Sequence, residues 1–380
     1  MVIRGLLNIK YHVKSVIIRF VELYHQDNTL GIATVYDENE IKQLLANNSK
    51  STVKNIEKIK CSLDCKYKWV GGVYYKECFY GIACGCTSVL RMNIKTFKIE
   101  YIGELGTSSF KWSGGCVYKD KIYGFMRSAN KLLCIDPNLN TIEQIELGLS
   151  YSGEHHYGGI LAKNGCIYQP PRNTNHILVT NLNNNETHKI MLCSEKLSIE
   201  FRYCGGVLHN NGFIYIFPEK NGKVIMLDPL TEKFSFIGSR INSMVFDAAI
   251  APDGNIYGFS AYEKGILKID VKTQHTKMIC TDMGVPGCFG TKLGINGKLY
   301  GVPGDGNVLW QFDVATQQVA EIAKIDELGE AKCAGGIVTE DGSIFCVPAF
   351  GEYIYRITFK DVKNFISDEL MHSKCFTDTY

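Results

Sequence analysis

The sequence predicts an all-β protein, a seven-bladed β-propeller with four-stranded blades. Three observations predict it. A pair of small residues, mostly glycines, opens a unit at Gly71-Gly72, Gly114-Gly115, Gly158-Gly159, Gly205-Gly206 and Gly335-Gly336, with weaker copies at Asp247-Ala248 and Gly290-Thr291. The steps between them run from 42 to 47 residues. Each unit then carries short apolar runs separated by turn signals, and no 3.6-residue periodicity spans it, as a helical repeat would require. Four short strands at this spacing are the pattern of a propeller blade.

The elements follow in chain order. Residues 1–51 precede the first unit and form an N-terminal appendage. Within it YDENEIKQLLANN reads as a helix, with Asp37 and Glu40 at capping-box spacing. The first 24 residues read as a strand pair or an amphipathic helix packed on the propeller. Residues 52–360 form the propeller. In each unit the glycine pair opens the first strand, and a turn such as Asn164-Gly165, Asn211-Gly212, Asp253-Gly254, Asn296-Gly297 or Asp341-Gly342 follows. These dipeptides tolerate the positive φ of tight hairpins. A second strand reads KIYGF, FIYIF or NIYGF, and a third reads LLCID, VIMLD or ILKID. Asp136-Pro137 and Asp228-Pro229 then supply type I turn chemistry before a fourth strand.

The seventh unit, from Gly335, has only three strands, whereas TVKNIEKIKCS at 52–62 stands where other units carry a fourth. It is expected to complete the seventh blade and remove two open sheet edges. Residues 361–380 read as a C-terminal helical tail.

A position repeated before every glycine pair becomes a ring around the propeller axis. Three residues before the first glycine stand Lys68, Lys111, His155, Arg202, Met244, Gly287 and Lys332. One residue later stand Trp69, Trp112, His156, Tyr203, Val245, Cys288 and Cys333. Arg172, in QPPRNTNH, falls near the same mouth. Several cations drawn together there would attract an anion, with Arg gripping it bidentately and Lys as a point charge. Lys68, Lys111, His155, Arg202, Lys332 and Arg172 are therefore the expected ligand contacts, with Trp69, Trp112, His156 and Tyr203 stacking around them. The competing reading has the aromatics as packing wedges between blades and the glycines as points of close backbone approach.

Bulk properties narrow the classes little. Lys and Arg number 41 against 39 Asp and Glu, a net charge of +2, which gives no general push toward nucleic acid or membranes. Arg4, Lys10, Lys14 and Arg19 interrupt the N-terminal apolar run, so no window reaches the ~18 apolar residues of a membrane span. The 15 cysteines, an odd number spread along the chain, read as small buried hydrophobes in a reducing, cytoplasmic compartment. Cys61, Cys65, Cys84 and Cys86 lack zinc-knuckle spacing. Neighbouring strand residues point apart, so Glu154-His155-His156 makes a poor metal site; no metal and no cofactor are expected. The sequons at Asn47 and Asn185 read as incidental.

The repeat resembles the broad kelch and WD-repeat class of propellers over about residues 52–360. It departs from kelch in placing the glycine pair before, not after, the strand reading IYV, and no Trp-Asp dipeptide occurs. It also resembles propellers carrying KW-x-GG, IYGxP and VLxIDP repeats. The resemblance implies the fold and brings no activity with it. The expected function is a monomeric binding module for a small anionic ligand or an acidic peptide. The alternatives are a lactonase-like hydrolase or lyase using Glu154, Asp247 and Asp305 with a divalent cation, and a protein-interaction scaffold.

Overall fold

In a computed structural model the described residues are 48–362, apart from 62, 64, 194–200, 326–330 and 340. The bulk of the expected appendage and of the C-terminal helical tail lies outside them. Seven antiparallel sheets stand around one axis. Blade one holds Trp69–Tyr75, Cys78–Ala83, Val89–Asn93 and Ile99–Ile102, counting from the axis outward. Blades two, three and four begin with Trp112–Tyr118, Ile160–Leu161 and Phe201–Leu208. Blades five, six and seven begin with Ala249–Ile250, Cys288–Leu293 and Cys333–Val338. Thr52–Lys60 lies outermost in the seventh sheet, antiparallel to Tyr353–Lys360 with Ile56 opposite Ile357. The one helical element among the described residues is the 3₁₀ turn Thr281–Met283.

Blade four departs from the four-strand expectation. The loop of blade three contributes Arg172–Thr174, which pairs with Phe201 and Arg202 and makes a five-stranded sheet. This extra strand carries Arg172 to the side of Arg202.

The glycine pairs sit at the axis, and each member has its own physical reason. The first has left-handed φ, +70° at Gly71 and +76° at Gly114, and forms a bulge in the ladder. A Cβ on Gly71 would lie 2.5 Å from the Gly114 Cα, so adjacent blades touch backbone to backbone. The second glycine admits a side chain from the preceding blade: a Cβ on Gly159 would meet the Phe125 ring at 2.7 Å. Between blades the core is filled by the alternating inward residues of the second and third strands, with Phe79, Tyr80, Tyr168, Tyr215, Tyr257, Tyr300 and Tyr355 fully buried.

Turn chemistry follows the sequence. Asp136 Oδ1 accepts from the backbone N–H groups of Asn138 and Leu139, and Asp228 Oδ1 from that of Leu230. One cysteine expectation is corrected. Cys65 and Cys86, 21 residues apart, form a disulfide, whereas most of the other described cysteines are free and buried. Spacing alone could not show this, because the fold lays the segment entering blade one against that blade's own second loop.

Candidate functional site

Where the first strands converge they enclose an axial cavity of about 70 Å³. It is lined by the glycine pairs and by Tyr157, Phe246, Phe289, Asp247 and Lys292. A water needs roughly 10–15 Å³ by this measure, so the cavity holds a few waters, not a drug-sized molecule. Among the described residues the charges on its wall are Lys292 and Asp247, which pair at 2.7 Å. A larger ligand must therefore lie over the mouth.

The structure buries most of the expected ligand contacts beneath that mouth. Lys68, Lys111 and Lys332 are 5%, 4% and 1% exposed. Each ammonium is held by backbone carbonyls: Lys68 donates to Gly351 (3.0 Å), Lys111 to Ser108 (2.7 Å) and Lys332 to Asp305 (3.2 Å). Lys68 and Lys332 thereby fasten each blade to the second loop of the blade before it. Burial also pulls the Lys111 ammonium below its ordinary range. His155 sits between the carbonyls of Gly153 and Ala129. A lysine stem is long enough to reach these orphan loop carbonyls, and this geometry draws the cations inward.

The aromatics of the next position are packed as well. The Trp69 ring covers Gly81 on the neighbouring strand, where a Cβ would approach it to 3.0 Å, and its Nε1 donates to Ser88 O. Trp112 donates to Lys131 O, and Tyr203 to Lys223 O. His156 is fully buried among Tyr151, His155 and His176. Gly81, in the second strand CFYGIA of blade one, thus leaves room for Trp69 one strand away.

Other residues form the mouth itself. A belt of rings runs around it: Phe350 and Tyr67 at 4.2 Å between centroids, Tyr67 and Phe110 at 4.7 Å, Tyr157 and Phe246 at 5.5 Å, Phe246 and Phe289 at 4.9 Å. The guanidinium of Arg127 fills the step between Phe110 (4.3 Å) and Tyr157 (4.6 Å). Tyr262 stands against Phe246 and Phe289, 51% exposed. Its hydroxyl is pushed up to about 12, first by burial and then by the charge of Asp305, and it also senses Tyr67, Arg172 and Glu219. Tyr262 thus joins the belt on its Phe246 and Phe289 side.

On blades two to four the mouth is charged. Arg127 and Arg172 both reach Glu154 Oε2 at 3.0 Å. Arg172 continues to Glu219 at 3.6 Å, and Arg202, its side chain 54% exposed, reaches Glu219 at 3.5 Å. Of the expected cationic set, the structure therefore brings together Arg172 and Arg202 and adds Arg127. Three guanidiniums face two carboxylates, and the surplus charge lies toward the exposed end. The sequence reading missed the belt. Its signal was present in Tyr67 and Phe110 just before the lysines, and in Tyr157, Phe246 and Phe289 just before the first glycine or its equivalent.

The site holds few candidates for covalent chemistry. Cys84 lies 3.7 Å from Arg127, but burial pushes its thiol up, away from the reactive thiolate. Asp305 Oδ1 accepts the N–H of Ala331 at 2.7 Å. Among the described residues no three His, Cys, Asp or Glu side chains converge as metal ligands, and no helix is long and apolar enough to cross a membrane.

No protein-family model and no curated protein matches the chain. Solved structures do. A streptogramin B lyase superposes with a TM-score of 0.67 at 14% identity, over 80% of this chain and 98% of that one. A catalytically inactive virginiamycin B lyase from Staphylococcus aureus with quinupristin gives 0.68 at 13%, over 80% and 99%. The extracellular domain of a one-component system from B. thetaiotaomicron gives 0.61 at 13%, over 80% of this chain and 40% of that one. The chain shares their propeller fold. These neighbours, two lyases and an extracellular domain, do not single out the kelch or WD type.

Proposed function

We propose that this propeller is a binding module whose ligand lies across the mouth, a flat apolar body against Tyr262 and Phe246 and one anionic group toward Arg202 and Arg172. One observation carries the reading: aromatic rings from six blades surround the opening next to an arginine-rich chain with one positive charge in excess. Stacking on such rings contributes about 0.5–1.5 kcal/mol per pair beyond area burial. A guanidinium offers a fork to a carboxylate or phosphate. An acidic peptide with an aromatic side chain and a small aromatic carboxylate both fit this chemistry.

The test is a thermal-shift series with N-acetylphenylalanine, phenyl phosphate, inorganic phosphate and quinupristin as probes. A ligand at 100 times its Kd stabilises by about 2.7 kcal/mol, a readable shift. The aromatic anions should raise the midpoint more than phosphate does. Arg202→Glu should abolish the preference for the charged probes, and Tyr262→Ala should weaken every aromatic probe by about tenfold, which is ~1.4 kcal/mol. Equal responses of wild type and both variants would sink the proposal.

The second reading is a propeller lyase, supported by the near-complete coverage of two lyase chains. Its carboxylates would be Asp247, Glu154 and Asp305. In the structure Asp247 is paired with Lys292, and Glu154 Oε2 is shared by two arginines. A cation-dependent, EDTA-sensitive cleavage of quinupristin would favour this reading.

A further inference from the structure

We propose that the Cys65–Cys86 disulfide is a redox-controlled staple that sets the position of Tyr67 in the mouth. The proposal deepens the binding reading above and rests on it only for its functional consequence. Cys65 belongs to the segment that enters blade one, and Cys86 to the loop between that blade's second and third strands. Tyr67, two residues beyond Cys65, joins the Phe350 side of the belt to the Phe110 side.

Its backbone is in the left-handed region, φ +50°, the conformation that Phe110 (+59°) and Ala331 (+43°) also take at the equivalent positions of blades two and seven, and blade one adds a covalent bond to it. The hold is local. Tyr67 O accepts the N–H of Gly85 at 2.6 Å, and Lys68 O those of Cys84 and Cys86 at 3.1 and 3.3 Å. The approach at Gly85 is so close that a Cβ there would lie 2.1 Å from Lys66 O. The covalent bond thus closes the same contact that these three hydrogen bonds make.

The two cysteines differ in exposure. Cys86 is 1% exposed and Cys65 is half-buried. An incoming thiolate therefore attacks Cys65 Sγ, and Cys86 leaves as a thiolate that takes up a proton. A second thiol then displaces Cys65 from the mixed disulfide. Two electrons and two protons pass from two small thiols to the protein, which gains two cysteine thiols while the reductant becomes its disulfide. Oxidised glutathione runs the sequence backward.

The experiment uses the full chain, incubated with oxidised glutathione or with dithiothreitol. Cysteines are then alkylated after denaturation and mapped by mass spectrometry. Amide exchange is followed across 65–70 and 84–86. Cys65 and Cys86 should resist alkylation in the oxidised sample and react in the reduced one. Exchange across both segments should rise at least tenfold on reduction. A Cys65→Ser/Cys86→Ser double variant should exchange like reduced protein under both conditions. Alkylation of both cysteines after oxidised-glutathione treatment, or exchange that ignores reduction, would overturn the proposal.

Titration with N-acetylphenylalanine in both redox states reads the consequence, and its Kd should rise on reduction. If exchange responds while this probe binds in neither state, the staple stands and the binding reading falls. If the probe binds equally in both states, the proposed control of the mouth is wrong.

Discussion

At the residue scale, the recurring glycine pair is explained by two separate steric demands. The first glycine needs left-handed φ and, at Gly71, Gly158, Gly205 and Gly335, a bare Cα facing the next blade's backbone, and the second needs space for a neighbour's side chain. Gly71→Ala meets both a positive φ of +70° and a Cβ placed 2.5 Å from Gly114. It should destabilise the protein by about 3 kcal/mol or more, since strain and overpacking each cost about 1–3 kcal/mol. Denaturant unfolding would report this as a lower midpoint at unchanged m. Gly106→Ala is the control. That glycine also has positive φ but nothing near its Cβ position, so its loss should stay near 1 kcal/mol. Equal losses at the two positions would refute the steric account of the axis.

At the element scale, the strand Thr52–Lys60 meets the last described strand over its whole length, from Thr52 opposite Lys360 to Lys60 opposite Tyr353. Ile56 and Ile59 pack against separate core clusters of the ring. Arg356 also reaches Glu57 at 3.2 Å across this pair. The Ile56 N–H is taken by Asn55 Oδ1 at 2.9 Å, so by strand alternation the N–H of Glu57 faces the last strand opposite Arg356; Glu57→Pro removes that ladder donor, and the proline ring disturbs the pairing. The released edge of Tyr353–Lys360 is then open to intermolecular pairing. Size-exclusion chromatography should show more self-association than wild type, together with a thermal midpoint lower by several degrees. A monomeric variant of unchanged midpoint would show that this pairing contributes nothing to closure. The strand order within blades was legible from turn residues and alternation. The extra strand Arg172–Thr174 was not, because its partner Arg202 lies in the next unit and no local pattern encodes that pairing.

At the scale of the whole molecule, acid stability depends on a histidine cluster behind the charged side of the mouth. His156 is fully buried, and burial drives its pKa well below the ordinary value, helped by His155, His176 and Lys189. Burial lowers His176 to about 4, and it lowers His155 as well. Tyr151, whose hydroxyl meets His176 Nε2 at 2.8 Å, completes the group. With folded pKa values below the unfolded 6.5, the unfolded chain binds more protons in this window. Stability is therefore full above about pH 6.5 and falls as the pH drops toward 4. For His176 alone the loss reaches at most ~3 kcal/mol, from 1.36 kcal/mol per unit. Urea unfolding at pH 7, 6, 5 and 4 should trace this decline, and His176→Phe should flatten it. An unchanged slope in the variant would remove His176 from the account.

The sequence by itself determined the blade count, the strand order within blades and the place of the glycine pairs at the axis. All of these follow from spacing, alternation and local backbone preference, which are properties of neighbouring residues. Which side chains line the mouth was decided only by the tertiary structure. Lys68, Lys111 and Lys332 were expected to ring the mouth, yet backbone carbonyls hold their ammonium groups, those of Lys68 and Lys332 lying on the preceding blade. Trp69 turns to cover Gly81 one strand away. Arg127, Tyr262 and the ring belt take the positions left at the mouth, through contacts between residues tens of positions apart. A repeat shows which positions are equivalent. Whether an equivalent position points to solvent or to a neighbour depends on groups that meet it only after the ring has closed.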